Sequence, residues 1–174
     1  RSQLPFVDID GVIIPDSSKI VAHVEKRRKE KLDAWLDPKD RAIAFAFKSM
    51  LEEHLYFAVL YFRWTTEDGW AVFKPNLQQM LGNYGVPSFL RGIVAGKARK
   101  QVNERAARQG IGRQPREEVA AAAIEIVDAF ATHLGDRPYF CGDKPSTFDA
   151  TAYAFASGLL CEAFDHEVHR HTKS

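Results

Sequence analysis

Apolar and polar residues alternate at the start of the chain and then change period. Phe6-Val7-Asp8-Ile9 alternates, Asp10-Gly11 is a favoured hairpin dipeptide, and Val12-Ile13-Ile14 resumes a β-branched run. Leu4–Asp16 therefore reads as two short strands around a turn. After Asp16 the spacing becomes helical. Ser17 or Ser18 supplies a cap, and Ile20, Val21 and Val24 form an apolar stripe ahead of the charged run Glu25–Lys31. A two-stranded hairpin with one helix does not stand alone in water, so this unit needs further sheet neighbours.

Everything after Lys31 reads as helix. Pro38 lies near a helix start, and Arg41–Trp64 runs without Gly or Pro. Within it Ile43, Phe47, Met50, Leu51, Leu55, Val59 and Phe62 recur at three- and four-residue steps. Gly69 and Pro75 punctuate a shorter amphipathic stretch, and Gly82–Pro87 reads as a loop. Phe89–Arg108 is a basic helix ended by Gly110-Ile111-Gly112. Pro115 opens the next helix, with Glu117 and Glu118 in its first turn and Val119, Ile126, Phe130 and Leu134 on its buried face, and Gly135 ends it. Ser146-Thr147-Phe148-Asp149 has the form of a capping box: Ser146 accepts from the Asp149 amide and the Asp149 carboxylate reaches back to the Ser146 amide. The helix that follows is apolar all round, which predicts a central position. The pattern as a whole is α+β to mostly α. A small α/β unit occupies residues 1–30, a charged linker about 26–37, and an all-helical domain 31–174.

Composition narrows the class. The 174 residues are 45% hydrophobic and 27% charged, which is ordinary for a globular chain and unlike a disordered or fibrous one. A formal net charge of +1 gives no reason to expect nucleic acid or an anionic membrane as partner. The basic stretch from Lys97 to Arg116 has no interleaved aromatics and reads as a solvated helix face. No uncharged apolar run is long enough to span a bilayer. Two cysteines, Cys141 and Cys161, are too few for a disulfide framework. They read as inert core thiols in a reducing, cytoplasmic compartment. His166, His169 and His171 beside Asp165 and Glu167 lack a second ligand cluster, so they read as a polar tail rather than a metal site.

Three motifs carry a resemblance. Leu4-Pro5-Phe6-Val7 is similar to a strand that begins after a cis-proline, and Ile14-Pro15-Asp16-Ser17-Ser18-Lys19-Ile20 to an apolar–x–acid–Ser–x–x–Ile element. Gly142–Asp149 is similar to the capping box of a conserved-architecture central helix, with Phe148 where Ala is usual. In this order and spacing they resemble the glutathione transferase superfamily, a thioredoxin-like domain followed by a helical one. Leu51–Tyr56 and Arg63-Trp64 are similar to its metaxin and failed-axon-connections branch. The resemblance implies that the family's first strand, first helix and second strand precede Arg1, with the Tyr, Ser or Cys that acts on the glutathione sulfur. It also implies that the last helices follow Ser174.

The remaining residues can be assigned chemistry on that basis. The resemblance implies glutathione binding by Leu4, Pro5, Asp16 and Ser17: Leu4 pairs strand-like with the cysteinyl unit, Ser17 donates to the γ-glutamyl carboxylate and Asp16 takes part in ammonium recognition. Unpaired amides at a helix N-terminus suit an anion independently of any family. Ser17 or Ser18 as a plain helix cap is the alternative. Tyr56, Arg63 and Trp64 are candidates for the wall of an apolar electrophile site, and equally for core. The implied activity is thiol activation for attack on an apolar electrophile, or for peroxide or disulfide reduction, with glutathione as co-substrate, no metal, and a homodimer as the working form. The alternative is a non-catalytic, metaxin-like interaction or scaffold protein on the same fold.

Overall fold

The computed structural model describes residues 5–174, which divide into two compact units with the boundary between Pro38 and Lys39. In the first unit, strands β1 (Phe6–Ile9) and β2 (Val12–Pro15) pair antiparallel, with Phe6 opposite Pro15 and Ile9 opposite Val12. The turn needs positive φ at both central residues, and Asp10 (56°) and Gly11 (78°) supply it. The Asp8 carboxylate accepts the Gly11 N–H at 2.9 Å and fastens the turn. Helix α1 (Ser17–Arg27) follows directly. The hairpin followed by a helix is thus formed as the change of period predicted.

The second unit is all-helical. Residues 38–65 form one unbroken rod made of α2 (Pro38–Met50), a π turn (Leu51–Leu55), α3 (Tyr56–Leu60) and a second π turn (Tyr61–Thr65). Absence of Gly and Pro lets the rod run on, and each π turn takes in an extra residue and swings the side chains round. Phe57, Ala58, Leu60, Tyr61 and Phe62 are all buried, so this segment is the most enclosed part of the rod, with half-buried Val59 on its remaining face. The expected centre of the domain was the apolar helix α7 (Thr147–Leu159), and the structure corrects this. α7 buries Phe148, Ala152 and Leu159 on one stripe but leaves Tyr153 76% exposed. Its apolar composition comes largely from alanines, which pack or face water at little cost either way.

Helix α4 (Glu67–Asn83) starts at a Thr66 cap and passes straight through Pro75, where a break was expected. Pro75 lies on the exposed face, and the carbonyl its ring leaves unbonded belongs to Ala71, which is exposed as well and open to solvent. The following loop is correspondingly shorter than the sequence indicated. Helices α5 (Ser88–Gln109) and α6 (Arg116–Leu134) fall within a residue or two of expectation, separated by Gly110 at φ 116° and a 3₁₀ turn (Ile111–Arg113). Short α8 (Glu167–Thr172) closes the described chain. The main core joins Leu51, Leu55, Phe62, Val119, Phe140 and Phe148, and a smaller one joins Trp70, Leu77 and Ala95.

Two further readings are overturned here. His166 and His169 are no polar tail: both are buried. His166 stacks on Phe62 (4.6 Å, 10°) and caps α8 by accepting the His169 N–H, while His169 Nδ1 meets the Leu159 carbonyl at 2.7 Å. Cys161, expected in the core, is exposed because it follows the last turn of α7, and Cys141 is half-buried.

Candidate functional site

The first candidate lies at the strand-to-helix junction of the N-terminal unit. Pro5 is exposed, and its carbonyl accepts the Asp16 N–H at 2.9 Å, extending the hairpin ladder by one rung. Leu4, and with it the peptide bond to Pro5, lies outside the described residues. Asp16 has φ 77°, a left-handed conformation that a non-glycine residue adopts at a cost of about 1 kcal/mol or more. The strain aims its carboxylate along the axis of α1, where Oδ1 accepts the amides of Ser18 (3.0 Å) and Lys19 (3.3 Å). Asp16 is therefore the cap, in place of the Ser17 or Ser18 that the sequence indicated. This changes the chemistry available. Two of the helix's unpaired amides are already taken by an anion of the protein's own. What stays open, among the described residues, is the exposed Ser17 hydroxyl with its N–H, and the second Asp16 oxygen. A donor and a carboxylate oxygen side by side suit a zwitterionic group.

The second candidate lies within the helical unit. Tyr56, Arg63 and Trp64 project from the rod at spacings of seven and eight residues, two turns apart on one face. They open on a single cleft of about 410 Å³, completed by Val59, Leu60 and Phe73, with Ala154, Phe155 and Gly158 of α7. Trp64 packs on Phe73 (4.7 Å) and stacks on Trp70 (5.7 Å). The backbone behind it is held by Arg99, whose guanidinium donates to the carbonyls of Trp64 (2.9 Å) and Thr65 (3.1 Å) and to Glu67. Those carbonyls belong to the last turn of the rod and would otherwise lack donors. Arg63 lies under aromatic rings: its guanidinium carbon is 4.6 Å from the Phe164 centroid and 5.8 Å from that of Phe73. Burial pushes it below the usual arginine range, with Cys161 opposing.

Three of the residues lining this cleft are ones the sequence singled out, and the others are not. Phe73 and Phe155 carry no motif, and only the folded helices bring them to Arg63. Arg99 was part of a basic stretch whose periodicity did not mark it out. A second cavity of about 220 Å³, lined almost wholly by carbon, lies among Leu51, Leu55, Phe130, Ala152 and Leu159. The capping box is formed as expected, and more completely: the Asp149 carboxylate accepts from the Ser146 N–H (2.8 Å), the Ser146 hydroxyl (2.6 Å) and the Phe140 N–H (2.8 Å). Among the described residues no group of three or more His, Cys, Asp or Glu is placed to hold a metal, and no helix is long and apolar enough to cross a membrane.

Comparison with known proteins identifies the family. Residues 1–69 match the family model described as the glutathione S-transferase N-terminal domain, and residues 123–174 match that of the glutathione S-transferase C-terminal domain. An isoprene-epoxide–glutathione S-transferase of Rhodococcus sp. (strain AD45) is 34% identical, over 88% of this chain and 64% of the relative. Failed axon connections of Drosophila melanogaster is 30% identical over 91% of this chain and 39% of the relative. A metaxin-1 homolog of Caenorhabditis briggsae is 28% identical over 92% and 50% respectively. The chain thus spans less than two thirds of each of these relatives. No solved structure matches significantly. With a hairpin-and-helix unit ahead of an all-helical one, and with relatives of both the transferase and the metaxin type, the chain belongs to the glutathione S-transferase superfamily.

Proposed function

We propose that the protein is a glutathione transferase that joins the glutathione sulfur to a small apolar electrophile. The observation that carries this reading is the cleft: an aromatic-walled space of about 410 Å³ bordered by one cation fits a largely apolar molecule with limited polar character. The Rhodococcus relative is named for an epoxide, and an epoxide meets that description. In such a reaction the thiolate sulfur forms a bond to one ring carbon, the carbon–oxygen bond breaks, and the oxygen keeps the electron pair and takes a proton from water. The thiolate is the reactive form, so the site must favour it over the thiol. Asp16 and Ser17 are proposed to hold the γ-glutamyl end of glutathione, Ser17 by donating to its carboxylate and Asp16 through its open oxygen to the ammonium. Tyr56, Arg63 and Trp64 are proposed to line the electrophile's side. The same reading places the protein in the cytoplasm as a homodimer, and a chromatographic mass of one chain at micromolar concentration would count against the dimer.

Calorimetric titration of glutathione into the protein, beside Ser17→Ala, tests the proposal. The expected result is saturable binding that the substitution weakens by about ten-fold, the equivalent of ~1.4 kcal/mol for a hydrogen bond to a charged group. Absence of binding at millimolar glutathione would sink the transferase reading and leave a non-catalytic interaction protein.

A further inference from the structure

Three arginines of the helical unit invite comparison. Arg99 donates to two backbone carbonyls and to the Glu67 carboxylate. Arg116 donates through three nitrogens to Glu167 and Asp68. Arg63 differs. Aromatic rings hold its guanidinium by the face, yet among the described residues none of its N–H groups has an acceptor, and Nε is shut off from water. Ring contacts of this kind are attractive but leave every in-plane donor unused. An unpaired buried donor on a permanent cation is costly. Proteins leave such groups unpaired inside a cavity mainly where something else supplies the acceptor. Nε itself offers no opening to a ligand. The terminal nitrogens of Arg63 are not among the enclosed unpartnered atoms and the residue borders the cleft, so an acceptor for them can come from whatever the cleft holds.

We propose that the second substrate carries a carboxylate, and that Arg63 binds it in the plane of its guanidinium while the apolar remainder of the molecule lies against Tyr56, Trp64 and Phe73. This rests on the transferase reading and narrows it, from any apolar electrophile to one bearing an acid group. A planar five-donor fork matches a carboxylate two bonds at a time, which an ammonium does not. A standing cation selects an anion before any reaction begins. It therefore sets which molecule is bound rather than how fast it reacts, a specificity role rather than a catalytic one.

A matched pair of probes tests this without any chemistry: 4-phenylbutyrate and 4-phenylbutyramide, titrated into the protein and followed by ligand-observed NMR or calorimetry. The acid is expected to bind at least about ten-fold more tightly than the amide. In Arg63→Gln that preference is expected to vanish with the amide's affinity unchanged. Arg63→Lys is expected to restore part of it, and Phe73→Leu to weaken both probes alike. Equal affinities for acid and amide in the wild-type protein would overturn the proposal, as would a preference that survives in a folded Arg63→Gln protein. Displacement of phenylbutyrate by glutathione would also overturn it, since the anchored carboxylate would then be the co-substrate's own. Glutathione titration alone reads the transferase proposal separately, because the probe preference does not depend on it.

Discussion

Asp16 and Asp149 are both helix-capping carboxylates, and only one was legible. Asp149 belongs to a four-residue motif whose two halves satisfy each other, so local sequence suffices. At the other site Asp16, Ser17 and Ser18 are all good caps, and what decides among them is a backbone angle of 77° that no residue identity announces. The two should respond differently to substitution. Asp149→Ala strands three donors, two of them backbone amides, and is expected to lower stability by about 2–4 kcal/mol in urea denaturation. At position 16 the cap and the strain oppose each other. Asp16→Gly loses the first and relieves the second, for a net change of a few tenths of a kcal/mol, whereas Asp16→Ala loses the cap and keeps the strain, at about 1–2 kcal/mol. A larger loss for glycine than for alanine would refute this account. His166 and His169 escaped the sequence reading for a physical reason: the ring that buries His166 is Phe62, far away along the chain, and nothing in a His-rich tail signals such a partner.

At the scale of elements, helix existence was readable as far as α7, α8 lay hidden in what read as a polar tail, and helix continuity was not readable. Pro75 reads as a break in isolation, and only its exposed position explains why α4 absorbs it. The two π turns are equally silent, since a π turn is an added residue rather than a residue type. The junction of the rod with α4 has strict packing requirements. Thr66 Oγ1 donates to the Phe62 carbonyl (2.7 Å) and accepts the Gly69 N–H (3.2 Å), and a Cβ on Gly69 would lie 1.7 Å from that same carbonyl oxygen. Gly69→Ala is accordingly expected to destabilise by about 3 kcal/mol or more, because a backbone atom must yield. Gly96, inside α5 with nothing within 4 Å of its would-be Cβ, should behave in the opposite sense. Gly96→Ala is expected to stabilise by about 0.5–1 kcal/mol. Thermal melts of the two variants side by side check the sign of both.

The whole molecule should be acid-sensitive in two stages. Burial, and then repulsion from His169, hold the His166 imidazole down to about 4 from 6.5. A folded pKa below the unfolded one means that the unfolded chain takes up the proton first, so stability is full above about pH 6.5 and falls as pH drops toward 4. Burial and Arg137 depress His133 in the same sense. Below that range the cluster at Arg116 follows. Burial raises the Asp68 carboxyl, but the polar Thr66–Gly69 turn beside it and the Arg116 guanidinium, which donates to it at 2.9 Å, outweigh this and hold the group at about 2, and Arg116 holds Glu167 below its ordinary value. Stability from these carboxylates is present above their unfolded values and is lost as pH falls through the folded ones. His166→Asn retains a capping side chain without the titration, so its melting temperature is expected to drop less between pH 7 and pH 5 than that of the wild type. An equal drop would assign the first stage elsewhere. As for legibility at this scale, the succession of a hairpin unit and a helical unit could be read from the change of hydrophobic period. The cleft could not, since its far wall comes from α4 and α7, elements with no motif for it.

One consequence of the rod concerns how such a protein can diverge. Tyr56, Arg63 and Trp64 are interleaved along the same stretch of chain with Phe57, Leu60 and Phe62, which are buried. Inserting or deleting a single residue between them would rotate everything beyond it by about 100° and carry cleft side chains into the core. Descendants of this protein can therefore exchange the wall one side chain at a time, at fixed length. Gaps in an alignment of its lineage should be rare in this stretch, even where the residues facing the cleft differ most.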